Sequence, residues 1–223
     1  MSVPTPLIDS RSLVDRVYDH LLEQIESGGI VQGQAVSVRK VADELGLSTM
    51  PVREALKRLA FEGVVIIKPR SSCTVAAPSG RMIREVYELR EVIEVHAVTK
   101  ATAAGIDPAA LDRLGGIVAE MQALDRETDA AARARRQIEL DHRFHAGLCA
   151  LAGNGHMNEV HRALSVQVTM ALIHERTDHV LGRRYVESHE EILSSLRADP
   201  QNAVRVLRKH FARVRDVLVP DEG

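Results

Sequence analysis

Asp141 and His145 interrupt the apolar stripe Ile138, Asp141, His145, Leu148, Ala152 at positions i and i+4. On a helix this spacing puts both side chains on one inward face, one turn apart. A buried carboxylate is costly unless it is paired or bound to a cation, and an Asp and a His so spaced can chelate one metal ion. Two more histidines lie on apolar faces: His189 with Ile192, Leu193 and Leu196, and His210 with Ala203, Val206, Val214 and Val217. Four nitrogen and oxygen donors from three helices would suit a divalent ion such as Zn²⁺, Ni²⁺ or Mn²⁺. On these residues alone, an Asp–His ion pair beside two core histidines bonded to the backbone remains an alternative. Arg90 falls on the inner edge of its helix with Val86, Ile93 and Ala97. A buried guanidinium wants an anion, and the nearest by spacing is Glu94. His142, His156, His161, His174 and His179 read as surface or structural residues, and Asn154 as a helix N-cap.

A second chemistry lies in SVRKVADELGLSTMPVREALKRLAFEG. Two short amphipathic helices joined at Gly46 let the second project from the body. Such a helix fits the major groove of duplex DNA, where base edges are distinguishable. Ser48, Thr49, Pro51 and Arg53, at its N-terminus, would face the groove. Arg53 can pair with guanine or grip a phosphate. Arg39 would sit near the backbone, and Lys57, Arg58, Lys68 and Arg70 extend the positive surface. Two helices with a glycine turn occur in many folds; the basic character of the second helix and of the segment after it favours the nucleic-acid reading.

The elements that must position these residues follow from periodicity. The 223 residues carry 29 Lys and Arg against 31 Asp and Glu, so nucleic-acid contact must come from a local patch. Aromatics are 3%, which argues against stacking on single-stranded bases. Cys73 and Cys149 form no CxxC pair and suggest a reducing compartment. Without a membrane-length apolar run or an apolar leader, the chain is expected in the cytoplasm. Leu13, Val17, Tyr18, Leu21, Leu22 and Ile25 keep the helical period up to Ser27-Gly28-Gly29. Helices follow around Val38–Leu45 and from Ser48 to Phe61, with Pro51 in the first turn of the latter. VVIIK and CTVAA then read as a β-hairpin. Ala76–Gly80 looks like a linker. Six helical stretches are expected beyond it, at 82–104, 108–126, 129–152, 155–178, 182–198 and 200–218. The fold class is mainly α: a winged helix-turn-helix with a small hairpin over 1–77, a linker at 78–81, and an all-helical bundle over 82–223.

Residues 12–77 resemble the winged helix-turn-helix of GntR-type bacterial regulators, through VADELGLS and PVREALKRLAFEGVV. The resemblance implies that Arg53 and Arg39 contact operator DNA. Two departures are Thr49, where the family often has Arg, and Ser72, where it often has Gly at the wing tip; a Cβ there hinders close backbone approach. Residues 82–218 resemble the all-helical FCD ligand-binding domain of the FadR subfamily, through YELREVIE, ELDHRFHAGLCALAGN and HEEILSSLRADPQNAVRVLRKH. This implies a divalent ion held by Asp141, His145, His189 and His210. The connection between the last two is about one residue shorter than usual, at Ala198-Asp199-Pro200. It also implies a carboxylate effector touched by Arg90. The whole would be a homodimeric, metabolite-responsive regulator, by family default a repressor, binding double-stranded operator DNA and no membrane. A helical metal-dependent hydrolase is the alternative, although no HExxH accompanies the site.

Overall fold

The computed structural model describes residues 12–68, 72–174 and 183–219. The chain divides into two compact units, Met1–Ala77 and Pro78–Gly223.

In the first unit, α1 (Leu13–Glu26) opens with a reciprocal capping box between Ser12 and Asp15. It buries Val17, Tyr18, Leu21 and Ile25. α2 (Val38–Leu45) is capped by the Ser37 hydroxyl and ends at Gly46, whose φ of 64° is the left-handed conformation that glycine adopts without strain. α3 (Thr49–Phe61) packs Val52, Ala55, Leu56 and Leu59 against α1 and α2. β2 (Val65–Lys68) and β3 (Ser72–Val75) form the expected hairpin. A third strand, β1 (Ala35–Val36), adds to the free edge of β3, giving the antiparallel order β1-β3-β2. Two residues are too few to display an alternating pattern, so periodicity could not reveal it. Ser72 stands in the ladder opposite Lys68 rather than at the wing tip.

In the second unit, α4 (Gly80–Ala104) starts inside the stretch read as linker, because the Ser79 hydroxyl accepts the Met82 N–H and caps the helix early. α5 (Pro108–Ala123) runs into a short 3₁₀ turn at Leu124–Arg126. α6 (Ala130–Ala150) carries Asp141 and His145. The single helix expected over 155–178 is instead two, α7 (Gly155–Ala163) and α8 (Ser165–His174). The break lies at Leu164, whose N–H bonds back to His161 while its carbonyl already starts the next helix at Val168. The Ser165 hydroxyl donates to the Arg162 carbonyl, and such side-chain bonds compete with helix continuation. α9 (Arg183–Ala198) and α10 (Pro200–Leu218) follow, joined at Asp199, which caps α10 ahead of Pro200. The described residues of this unit thus form seven α-helices where six stretches were expected.

α4 packs on α6, α8 and α10, α5 on α6 and α9, and α9 on α10. Tyr87, Phe144, Phe211, Leu140, Leu148, Leu172 and Ile192 are almost wholly buried between them. Among the described residues no helix is long and apolar enough to cross a membrane.

Candidate metal centre and nucleic-acid interface

The core of the second unit holds an unusual quantity of charge. Asp141, His145, His189, His210, Arg90 and Glu94 are all at most 4% exposed. α6, α9 and α10 bring one ligand atom each from His145, His189 and His210 to within 4.8 Å of one another. Asp141 joins them: its Oδ1 lies 3.3 Å from both His145 Nε2 and His189 Nε2. The three histidines therefore meet at one centre, with Asp141 flanking two of them.

The surrounding bonds assign the tautomers. His189 Nδ1 is 2.8 Å from the Tyr185 carbonyl oxygen, which can only accept, so this nitrogen carries the proton. The Ser188 hydroxyl donates to that same carbonyl and accepts from His210 Nδ1–H at 3.0 Å. His145 Nδ1–H points at Glu94 Oε2, 2.6 Å away. Each ring thus spends its Nδ1–H outward and turns its Nε2 lone pair toward the centre, the arrangement usual for metal-ligating histidines. His145 Nε2 is buried with no hydrogen-bond partner among the described residues. A bare lone pair facing a carboxylate in a dry interior calls for a proton or a cation between them. The donor set, three imidazoles and one carboxylate, fits a divalent ion of borderline softness.

Ionisation sets His145 apart from the other two rings. Burial by itself would raise the Asp141 pKa, but Arg90 and the neighbouring histidines hold it well below the usual carboxylate range. Burial depresses His189 and depresses His210 more strongly, so both stay neutral. His145 differs: burial and Arg90 push it down, yet Glu94 and Asp141 outweigh them and leave it raised.

Arg90 has both kinds of anionic partner within the protein. Its Nε bonds Glu94 Oε1 at 2.8 Å and its Nη2 bonds Asp141 Oδ2 at 3.2 Å. Sequence spacing pointed to the first; only the packing of α4 on α6 supplies the second. Tyr185, whose hydroxyl donates to Asp141 Oδ1, and Ser188 were missed. The signal available for Tyr185 was its place one helical turn before His189. His161 was read as surface or structural; it is buried, with Nε2 3.0 Å from Glu94 Oε1. His142 is partly buried against Thr169 Oγ1 at 2.7 Å. His156 is exposed, as read, and His179 lies outside the described residues.

In the first unit, Arg39, Ser48, Thr49, Arg53 and Lys57 are exposed and Pro51 is half-buried. All but Pro51 line one open cleft of about 850 Å³ between α2, α3 and the sheet, which also takes in Lys68. Ser48 occupies the N-cap position of α3 without using its side chain to cap it. Helix N-termini with unspent amides attract phosphate. Arg58 does not extend this surface. It stacks on Tyr18 at 3.9 Å and bonds Asp15 and Glu62, on the α1 side. Arg70 lies outside the described residues.

Residues 13–75 match the bacterial regulatory proteins of the gntR family, and residues 85–213, more than half of the chain, match the FCD domain. The chain is 24% identical over 196 residues to the HTH-type transcriptional regulator McbR of Escherichia coli, covering 87% of this chain and 86% of that one. It is 31% identical over 109 residues to the gluconate operon transcriptional repressor of Bacillus subtilis, 49% of this chain and 44% of the relative. The solved structure of E. coli McbR/YncC superposes with a TM-score of 0.76 at 22% identity, over 96% of this chain and all of that one (100%), a likeness of fold. The matched domains and the relatives are those of transcriptional regulators rather than enzymes, which does not favour the hydrolase alternative. With both units matched and its relatives being regulators of the same kind, the chain is a member of the gntR family of bacterial transcriptional regulators, with an FCD domain as its second unit.

Proposed function

We propose that this regulator is a homodimeric, metabolite-responsive repressor of the FadR type, whose helical unit holds a divalent metal ion and senses a small carboxylate. The observation that carries the reading is the centre where Asp141 Oδ1 faces the lone pairs of His145 and His189 at 3.3 Å, with His210 beside them. Asp141, His145, His189 and His210 would hold the ion; bound there, it supplies a positive charge able to attract a carboxylate. Arg90, fixed against Asp141 and Glu94, would present its remaining N–H groups to the same anion.

On the DNA side, Arg53 and Thr49 in the first turn of α3 would read base edges. Arg39, Ser48, Pro51, Lys57 and, as read from the sequence alone, Arg70 would fit the phosphate backbone. Two copies would read the two halves of a near-palindromic operator. Effector binding changes operator affinity only through a differential affinity for two states, typically about 1–3 kcal/mol of coupling.

The test measures metal content of the purified protein, then operator binding by fluorescence anisotropy across a panel of sugar acids, hydroxy acids and dicarboxylates. A divalent ion in each chain, and a carboxylate that weakens operator binding only in the metal-loaded protein, supports the reading. A protein that stays metal-free under added Zn²⁺, Ni²⁺ or Mn²⁺ refutes it.

A further inference from the structure

We propose that Glu94 is the positioning residue of the metal centre: its carboxylate sets the proton on His145 Nδ1, and so keeps the Nε2 lone pair aimed at the ion. The inference rests on the metal reading above and goes beyond it to a residue that touches no metal.

Glu94 is fully buried on α4 and divides its two oxygens between three partners. Oε2 accepts from His145 Nδ1 at 2.6 Å. Oε1 accepts from Arg90 Nε at 2.8 Å and meets His161 Nε2 of α7 at 3.0 Å. A carboxylate offers only acceptors, so a neutral His145 beside it must keep its hydrogen on Nδ1. The same carboxylate anchors Arg90, which bonds Asp141 across the site. Glu94 thereby ties an imidazole ligand, the carboxylate ligand and the arginine hook into one rigid unit.

The chemistry of a single substitution follows. In Glu94→Gln the side chain has one acceptor oxygen and one donor amide. Arg90 can only donate, so the oxygen must take the Oε1 position. The NH₂ group then faces His145 Nδ1, which becomes the acceptor. The imidazole proton moves to Nε2 and points into the centre. Loss of such an outer partner costs roughly 10–100-fold in metal affinity. Replacing Arg90 as well, in Arg90→Met/Glu94→Gln, frees the amide to turn over, with His161 Nε2 accepting its hydrogen. His145 then regains its Nδ1 proton.

The experiment reads ¹⁵N signals of the His145 ring in metal-free protein, on the neutral plateau of its titration. Affinity for Mn²⁺, Ni²⁺ and Zn²⁺ is measured by chelator competition. Wild type is expected to carry the Nδ1 proton and Glu94→Gln the Nε2 proton, with metal binding weakened about 10–100-fold and then partly recovered in the double variant. A Gln variant that keeps the Nδ1 proton with wild-type affinity overturns the proposal. So does a double variant that binds no better than the single one. If the Gln variant does not fold, the wild-type spectrum decides alone: a proton on Nε2 overturns the proposal. A wild type that binds none of the three metals refutes the metal reading, and its ring signals still decide for or against Glu94.

Discussion

Replacing Asp141 by asparagine separates two tasks that its carboxylate performs, pairing with Arg90 and facing the imidazoles of His145 and His189. Arg90 Nη2 lies 3.2 Å from Oδ2, and it can only donate. The Asn oxygen must therefore stay there. The amide nitrogen takes the Oδ1 position, 3.3 Å from the Nε2 atoms of both His145 and His189. In the metal-free protein it donates hydrogens to lone pairs that lacked them. The variant exchanges a charge-assisted bond of about 1.5–3 kcal/mol for two neutral ones of about 1 kcal/mol each, but it also turns an amide toward the Tyr185 hydroxyl that donated to Oδ1, so its metal-free stability should fall by about 1–3 kcal/mol. Asp141→Ala makes no such exchange. It leaves Arg90 with Glu94 alone and the buried Tyr185 hydroxyl without its acceptor. A broken buried pair costs about 3–5 kcal/mol. Metal at 100 times its Kd adds about 2.7 kcal/mol to wild type. At about 2–4 °C per kcal/mol that is a rise in Tm of roughly 5–10 °C. Neither variant should show the rise. Thermal melts followed by circular dichroism, with chelator and with excess Mn²⁺, give all six values. An Asn variant that keeps the metal-dependent shift would remove Asp141 from the ligand set. An Asn variant as unstable as the Ala variant without metal would refute the assignment of the imidazole protons.

Further outcomes test other parts of the molecule. Arg53→Ala should weaken operator binding by about 1–3 kcal/mol while the thermal melt is unchanged; equal binding by the variant removes Arg53 from the interface. Metal-free protein should lose stability as pH falls from about 6.5 toward about 4. Burial depresses His189 and His210 and brings His142 to about 4, so the unfolded chain binds these protons first. The raised His145 works in the opposite sense, favouring the fold below its own pKa, but it is one group against three. Melting temperatures that are flat or rising from pH 7 to pH 5 would contradict this. Gly147→Ala puts a Cβ 2.7 Å from Leu114 Cδ2, where α6 crosses α5. About 1–3 kcal/mol of destabilisation is expected in a denaturant titration, and a change under about 0.5 kcal/mol would mean that Leu114 has room to move aside.

What could be read along the chain was local. The period of Leu13 to Ile25, the left-handed turn at Gly46 and the Asn154 cap on α7 each depend on neighbours within about a turn, and each appears in the structure. The inward face shared by Asp141 and His145 is the same kind of information, since four residues on a helix are always one turn apart. The gntR and FCD motifs were legible for the same reason, being strings of consecutive residues. Packing decided the rest. Strand β1 exists because β3 offered an edge, and Arg58 left the basic face because Tyr18 and Asp15 of α1 lay beside it. Glu94 and His161 became partners only when α4 and α7 met, and Tyr185 reached Asp141 only when α9 and α6 closed on the same core. Helical periodicity states which way a side chain faces within its own helix. Which other helix it then meets, and which nitrogen of a histidine is left bare, depends on contacts between residues tens of positions apart, and the chain acquires those only as it closes on its core.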